Sequence, residues 1–128
     1  MSGYCLKTLT IHSSNVNCFI KIDKNIIVSG SWDKNINFWD VITYNHLKTL
    51  HGHTHSINCL LKINEYQIAS GSKDKNIRIW NVLTGNCVKT LNYSDALICL
   101  IKLNEYQIVN GSDDRNIKIW DLFDTVIK

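Results

Sequence analysis

The chain has 128 residues, a formal charge of +3, 45% hydrophobic and 20% charged residues, which bounds it to one ordinary domain and excludes low complexity and compositional disorder. Its basic residues stand singly, without a Lys/Arg run, which argues against a nucleic-acid or anionic-membrane partner. No apolar stretch approaches the roughly 18 residues that span a bilayer, and the start, MSGYCLKTLT, lacks a basic segment followed by an apolar one, so a soluble protein of the cytoplasm or nucleus is expected.

In chain order, three kinds of segment recur. LKTL at Leu6 is followed by VNCFIKIDKNIIV and by SGSWDKNINFWDV, Ser29 to Val41. LKTL at Leu47 is followed by INCLLKINEYQIA and SGSKDKNIRIWNV, Ser70 to Val82. VKTL at Val88 is followed by LICLIKLNEYQIV and NGSDDRNIKIWDL, Asn110 to Leu122. Trp39, Trp80 and Trp120 mark the period, about 41 and 40 residues.

Within one unit the pattern predicts strands and no helix. INCLLKI, Ile57 to Ile63, is an apolar run; QIASGS, Gln67 to Ser72, is a second; NIRIW, Asn76 to Trp80, alternates with a period of two. Turn chemistry separates them at Asn64-Glu65-Tyr66, at Gly71 to Asn76 and at Leu83-Thr84-Gly85-Asn86. The chain is all-β on this reading.

The segment Leu50 to Leu91, with its Gly-His, Ser-Gly-Ser, central Asp, Trp-Asn and Thr-Gly elements, resembles the WD40-repeat family, as does the chain over roughly residues 4 to 122. The resemblance implies β-propeller blades, about three of four antiparallel strands each, in a partial propeller or a ring completed by oligomers. Repeats would run over about 10–50, 51–91 and 92–122 within a domain of residues 4–127. In the family, strands a to d of each blade run outward from a central channel, and each sequence unit begins with the d strand of the preceding blade. Tyr4 to Leu9 would then be an orphan outer d strand.

The resemblance also implies a hydrogen-bonded structural tetrad. Its members would be His12, Ser29, Asp33 and Trp39 in repeat one, and His53, Ser70, Asp74 and Trp80 in repeat two. Ile11 stands where the family usually has Gly. Repeat three keeps Asp114 and Trp120, has Asn110 for Ser, and loses the histidine in a one-residue deletion around Tyr93 to Asp95, so its blade is expected to be the least well pinned. Ser31 and Ser72 remain alternatives for the serine. The physical need is that a buried indole N–H and a half-buried carboxylate both require partners.

Other chemistry competes with a scaffold role for the same residues. Ser, His and Asp could form a hydrolytic triad, but no G-x-S-x-G elbow is present, and an active site is normally built once. His51, His53 and His55 alternate along an extended segment, yet His51 and His55 do not recur, so neither metal nor cofactor is expected. Five cysteines without a secretory signal suggest free thiols. Cys18, Cys59 and Cys99 share one repeat position, Cys5 and Cys87 another, so they are expected to lie far apart as small buried hydrophobes.

Function is expected where the repeats disagree, on the face made by the d-to-a and b-to-c connections. The b-to-c turns read Trp32-Asp33-Lys34, Lys73-Asp74-Lys75 and Asp113-Asp114-Arg115. Trp32 is the leading candidate, as an exposed aromatic in a turn. Lys34, Lys73, Lys75, Asp113, Arg115, His55, Tyr93 and Asp95 follow, with Ser14, Asn15 and Ser56 as further loop positions. The expected role is a non-catalytic scaffold binding protein or peptide partners. A nucleic-acid module and a structural fragment of a longer array are the alternatives. Three blades are too few for a ring, which implies a piece of a longer array or self-assembly.

Overall fold

The computed structural model describes residues 3–92 and 96–123, which form strands and no helix. β1 (Val16–Asp23), β2 (Ile26–Ser31), β3 (Ile36–Asp40) and β4 (His46–Leu50) make one antiparallel sheet in that order. β5 (Ile57–Asn64), β6 (Gln67–Ser72), β7 (Asn76–Asn81) and β8 (Cys87–Asn92) repeat it. β9 (Leu97–Asn104), β10 (Gln107–Ser112) and β11 (Ile117–Asp121) form a third sheet of three strands among the described residues. Residues 124–128, which follow β11, lie outside the described residues.

Sequence-adjacent strands pair throughout because short turns leave an antiparallel hairpin as the nearest solution. The first strands of the sheets stand side by side, β1 against β5 and β5 against β9, so strand a of each blade is innermost, as the resemblance implies.

The core lies between sheets. Val28, Ile36, Phe38 and Leu50 of the first pack against Ile57, Leu60, Ile68 and Trp80 of the second. Ile63, Ala69, Ile77 and Ile79 of the second pack against Leu100 and Ile108 of the third. Successive residues of β6 therefore serve different joints, Ile68 backward and Ala69 forward, both fully buried. A strand covered on both faces reads as a continuous apolar run, whereas its neighbours alternate. Each fully buried Ile contributes about 1.5–3 kcal/mol. At Gly30 the first joint is so close that a Cβ would stand 2.5 Å from the Ile57 methyl.

Tyr4 to Leu9 is not a strand. Tyr4 and Leu6 are 81% and 75% exposed, and no ladder includes them. The reason is positional: a d strand exists only beside a c strand, and β3 and β7 already carry β4 and β8. Among the described residues no helix is long and apolar enough to cross a membrane.

A pinned loop face as candidate interaction site

The b-to-c turns are built alike. Lys34 N–H closes each turn onto Ser31 O at 3.2 Å, Lys75 onto Ser72 O at 3.3 Å and Arg115 onto Ser112 O at 3.2 Å. Lys34, Lys75 and Arg115 occupy the left-handed region, with φ of 75°, 71° and 68°. A side chain there costs about 1–2 kcal/mol, and the preceding aspartate helps offset it. Asp33 Oδ1 accepts Asn35 N–H at 2.9 Å and Asp74 Oδ1 accepts Asn76 N–H at 3.0 Å.

Each turn is tied to the d-to-a connection beside it. Trp32 N–H donates to Asn15 O, Lys73 N–H to Ser56 O and Asp113 N–H to Ala96 O, at 2.9 to 3.2 Å. Ser31 and Ser72 hydroxyls donate to Ser14 O and His55 O. These two serines thus serve the loops and not the tryptophans. The backbone of both connections forms one continuous end of the molecule.

Beneath this face runs the tetrad, with Ser29 and Ser70 as its serines. Ile27 faces Trp39 and Ser29 faces Asn37 in the β2–β3 register, so Ser29 and Trp39 are diagonal neighbours on one side of the hairpin. A bulge between Phe38 and Trp39, repeated between Ile79 and Trp80, sits at each tryptophan, where such irregularities re-aim a side chain. Trp80 Nε1–H donates to Ser70 Oγ at 2.7 Å, and Ser70 O–H donates to His53 Nε2 at 2.6 Å. His53 Nδ1–H donates to Asp74 Oδ2 at 2.8 Å. The first sheet matches, with 2.9, 2.7 and 2.8 Å for the Trp39, Ser29 and His12 links.

The donors fix the tautomer. An indole can only donate, so the serine oxygen accepts from it and spends its single proton on Nε2, leaving Nδ1 to carry the ring proton toward Asp. Burial pushes the His53 pKa down, against the pull of Asp74, so the neutral ring belongs to the folded state. Burial pushes Asp74 up, but Thr54 N–H, His53 and Asn76 N–H outweigh it and hold the carboxyl below its usual range. Asp33 follows the same balance, with Asn35 N–H, His12 and Ser13 N–H against burial.

In blade three Trp120 Nε1–H donates to Asn110 Oδ1 at 2.5 Å, and Asn110 Nδ2 is buried without a partner among the described residues, which leave out residues 93–95 of the neighbouring connection. Asp114 accepts from the Ser112 hydroxyl at 2.5 Å and lies 3.8 Å from Lys118 Nζ.

Ser, His and Asp stand in the order of a hydrolytic relay, twice. In both, however, the serine oxygen lies under a tryptophan and is occupied by its N–H, with Ser70 wholly buried. His51 Nδ1 bonds Asn35 Oδ1 at 2.9 Å, His53 belongs to the tetrad, and His55 Nδ1 accepts Ser56 N–H at 2.7 Å. The three imidazoles are thus turned to separate partners. Among the described residues no group of three or more His, Cys, Asp or Glu could hold a metal ion.

The cysteine expectation needs correcting. All five are free, but Cys5 and Cys99 are exposed, and Cys18, Cys59 and Cys87 half-buried. Cys18, Cys59 and Cys99 are not far apart, because strand a is innermost and successive blades converge there. Burial pushes the Cys18 thiol up to about 11, and Cys59 is raised by burial first and then by Cys18 and Cys99.

On the face itself Trp32 is 52% exposed. Lys34, Lys73, Lys75, Asp113, Arg115 and His55 are exposed beside it, as are Ser14 and Asn15. Ser56 is buried at 4% and drops out as a surface position. Tyr93 and Asp95 lie outside the described residues. Asp33 and Asp74 turn inward to His12 and His53, as the tetrad implies, so they do not present carboxylates among the lysines.

A family model described as WD domain, G-beta repeat matches residues 3–40, 44–81 and 85–121. Among solved structures, the crystal structure of the WD40 beta propeller domain of Doa1 is similar, with a TM-score of 0.80 and 26% identity, over 91% of this chain and 39% of that one. The chain therefore spans well under half the length of that relative. Comparison with curated protein sequences finds no match.

Proposed function

The chain belongs to the WD40-repeat family, and we propose that it is a non-catalytic scaffold that binds a protein or peptide on the face of d-to-a and b-to-c connections. The observation that carries this is Trp32: an indole 52% exposed on a turn whose backbone is bonded to Asn15 and whose Asp33 is bonded to His12. A rigid, half-exposed tryptophan loses little entropy on binding, which is why such residues anchor interfaces. The exposed Lys34, Lys73, Lys75 and Arg115, with Asp33 and Asp74 turned inward, favour a partner with an apolar anchor flanked by acidic residues. Five free thiols support a reducing compartment, and we place the protein in the cytoplasm or nucleus.

The test is a panel of peptides selected from a random library on the immobilised chain, with affinities measured by calorimetry. Trp32→Ala should raise Kd at least about tenfold, and Lys73→Ala should weaken binding less and in a salt-dependent way. Unchanged Kd for both variants, at unchanged urea midpoint, would remove this face from the reading.

A further inference from the structure

At the end away from the b-to-c turns, the groove between the first two sheets opens into a cavity of about 500 Å³. Ile26, Phe38, Leu47 and Lys48 of the first sheet face Val82 and Leu83 beside the second. The six equivalent residues one repeat on, Gln67, Ile79, Val88, Lys89, Leu122 and Phe123, line the matching groove between the second and third sheets, which holds only about 90 Å³. The second joint thus shows what the first would be if packing were its whole role.

One exchange accounts for the difference. Gln67 is about as large as Ile26, and Ile79 and Val88 are smaller than Phe38 and Leu47, so these three do not narrow the second groove. Phe123 is larger than Leu83, and its ring meets the Tyr106 ring edge-on at 5.0 Å, which holds it at the groove. In the first joint Leu83 is 72% exposed, and Tyr66 stands at the cavity wall without an aromatic partner among the described residues.

The volume lies within the about 300–1,000 Å³ of small-molecule sites, which pair mainly apolar walls with a few polar groups. Of the charged residues that line it, Asp23, Lys62 and Glu65 are exposed and form the rim, and Asp23 Oδ1 is turned back to Asn25 N–H at 2.7 Å. Lys48 is half-buried and pairs with no carboxylate among the described residues. Its Nζ lies 5.2 Å from the Phe38 ring centre and donates to Val82 O. That carbonyl takes one of three ammonium protons. A half-buried cation with spare donors favours an anionic oxygen beside it.

We propose that the groove between the first and second sheets binds a small apolar carboxylate, its body against Phe38, Tyr66 and Leu83 and its carboxylate on Lys48 Nζ. The lysine's bond to the next sheet belongs to the scaffold, since Lys89 donates to Leu122 O in the same way at 3.1 Å. The open space beside the lysine belongs to the first joint. The site lies at the opposite end of the sheets from Trp32 and does not depend on the partner bound there.

Naphthoate and its neutral counterpart naphthylmethanol are titrated into the chain carrying isotope-labelled methyl groups, and the shifts are followed by NMR. Naphthoate should move the methyls of Ile26, Leu47, Val82 and Leu83 with one Kd. Leu83→Phe, which installs the residue that the second joint already accommodates, should raise that Kd at least about tenfold without lowering the urea midpoint. Lys48→Met should raise the naphthoate Kd about tenfold and leave that of the alcohol within about twofold. No shift at these four residues, or an unchanged Kd in Leu83→Phe, would overturn the site. Equal loss of both compounds in Lys48→Met, or tighter binding of the alcohol to the unsubstituted chain, would overturn the carboxylate.

Discussion

Ser70→Ala tests the tetrad where it is most deeply buried. Ser70 is 0% exposed, accepts Trp80 Nε1–H at 2.7 Å and donates to His53 Nε2 at 2.6 Å. Alanine leaves an indole N–H and an imidazole nitrogen without partners, at about 1–3 kcal/mol each, so the loss should be about 2–6 kcal/mol. That is a large part of the about 5–15 kcal/mol that holds a domain folded. Ser29→Ala breaks the same bonds beside an open sheet face and should cost less, about 1–3 kcal/mol. Asn110→Ala should cost least, because Trp120 is partly exposed and among the described residues the Asn110 amide bonds only to it. The assay is urea unfolding at one fixed protein concentration, since association would couple to stability. A double-mutant cycle with Trp80→Phe should show coupling of about 1–2 kcal/mol. A Ser70→Ala cost below about 0.5 kcal/mol, a reversed order of the three serine-position variants, or zero coupling would refute the reasoning.

Two further outcomes follow from the same geometry. His53 is depressed below its ordinary 6.5, and Asp33 and Asp74 below 3.8, so in each case the unfolded chain takes up the proton first on acidification. Their stabilisation is full above 6.5 and above 3.8 respectively and is lost as pH falls toward the folded-state values. Urea midpoints from pH 8 to pH 3 should therefore decline in two stages, and a midpoint that rises on acidification would contradict the neutral His53. Tyr44 sits at φ 64° in the turn where the second sheet has Gly85 at φ 76°. Tyr44→Gly should stabilise by about 0.5–1 kcal/mol, read as a higher Tm; a lower one would mean that the ring's contacts outweigh the backbone strain.

What the sequence made legible was local. The Gln67 to Ser72 strand was read to its true bounds because a β hairpin draws on neighbours a few residues away. The choice of Ser29 over Ser31 was within reach as well: once Ile27 is set opposite Trp39, only Ser29 is the diagonal neighbour. The misreadings concern distance around the array. Tyr4 to Leu9 has the sequence of a d strand, but pairing is a property of two strands, and no strand of the described residues pairs with it. The cysteines are expected far apart because they hold equivalent positions in different repeats, whereas innermost strands converge and bring Cys18, Cys59 and Cys99 together. The left-handed Lys34, Lys75 and Arg115 were missed because glycine, the usual signal, is absent.

The repeats also depart from their common pattern in compensating pairs. At Gly52 a Cβ would stand 3.0 Å from Arg78 Nη1 and 3.2 Å from Trp80 Cη2, because the Arg78 guanidinium lies over the Trp80 ring at 5.9 Å. Glycine there follows from the arginine. In the first sheet the equivalent of Arg78 is Asn37, whose short amide lies 3.2 Å from His12 Nδ1 and accepts from Thr49 Oγ1 at 2.5 Å. No guanidinium overlies Trp39 in that arrangement, and the position before His12 is held by Ile11, 52% exposed. The departure from the family's Gly-His is thus matched by a second departure in strand c. The tetrad survives both, because neither residue belongs to the chain of donors from tryptophan through serine and histidine to aspartate.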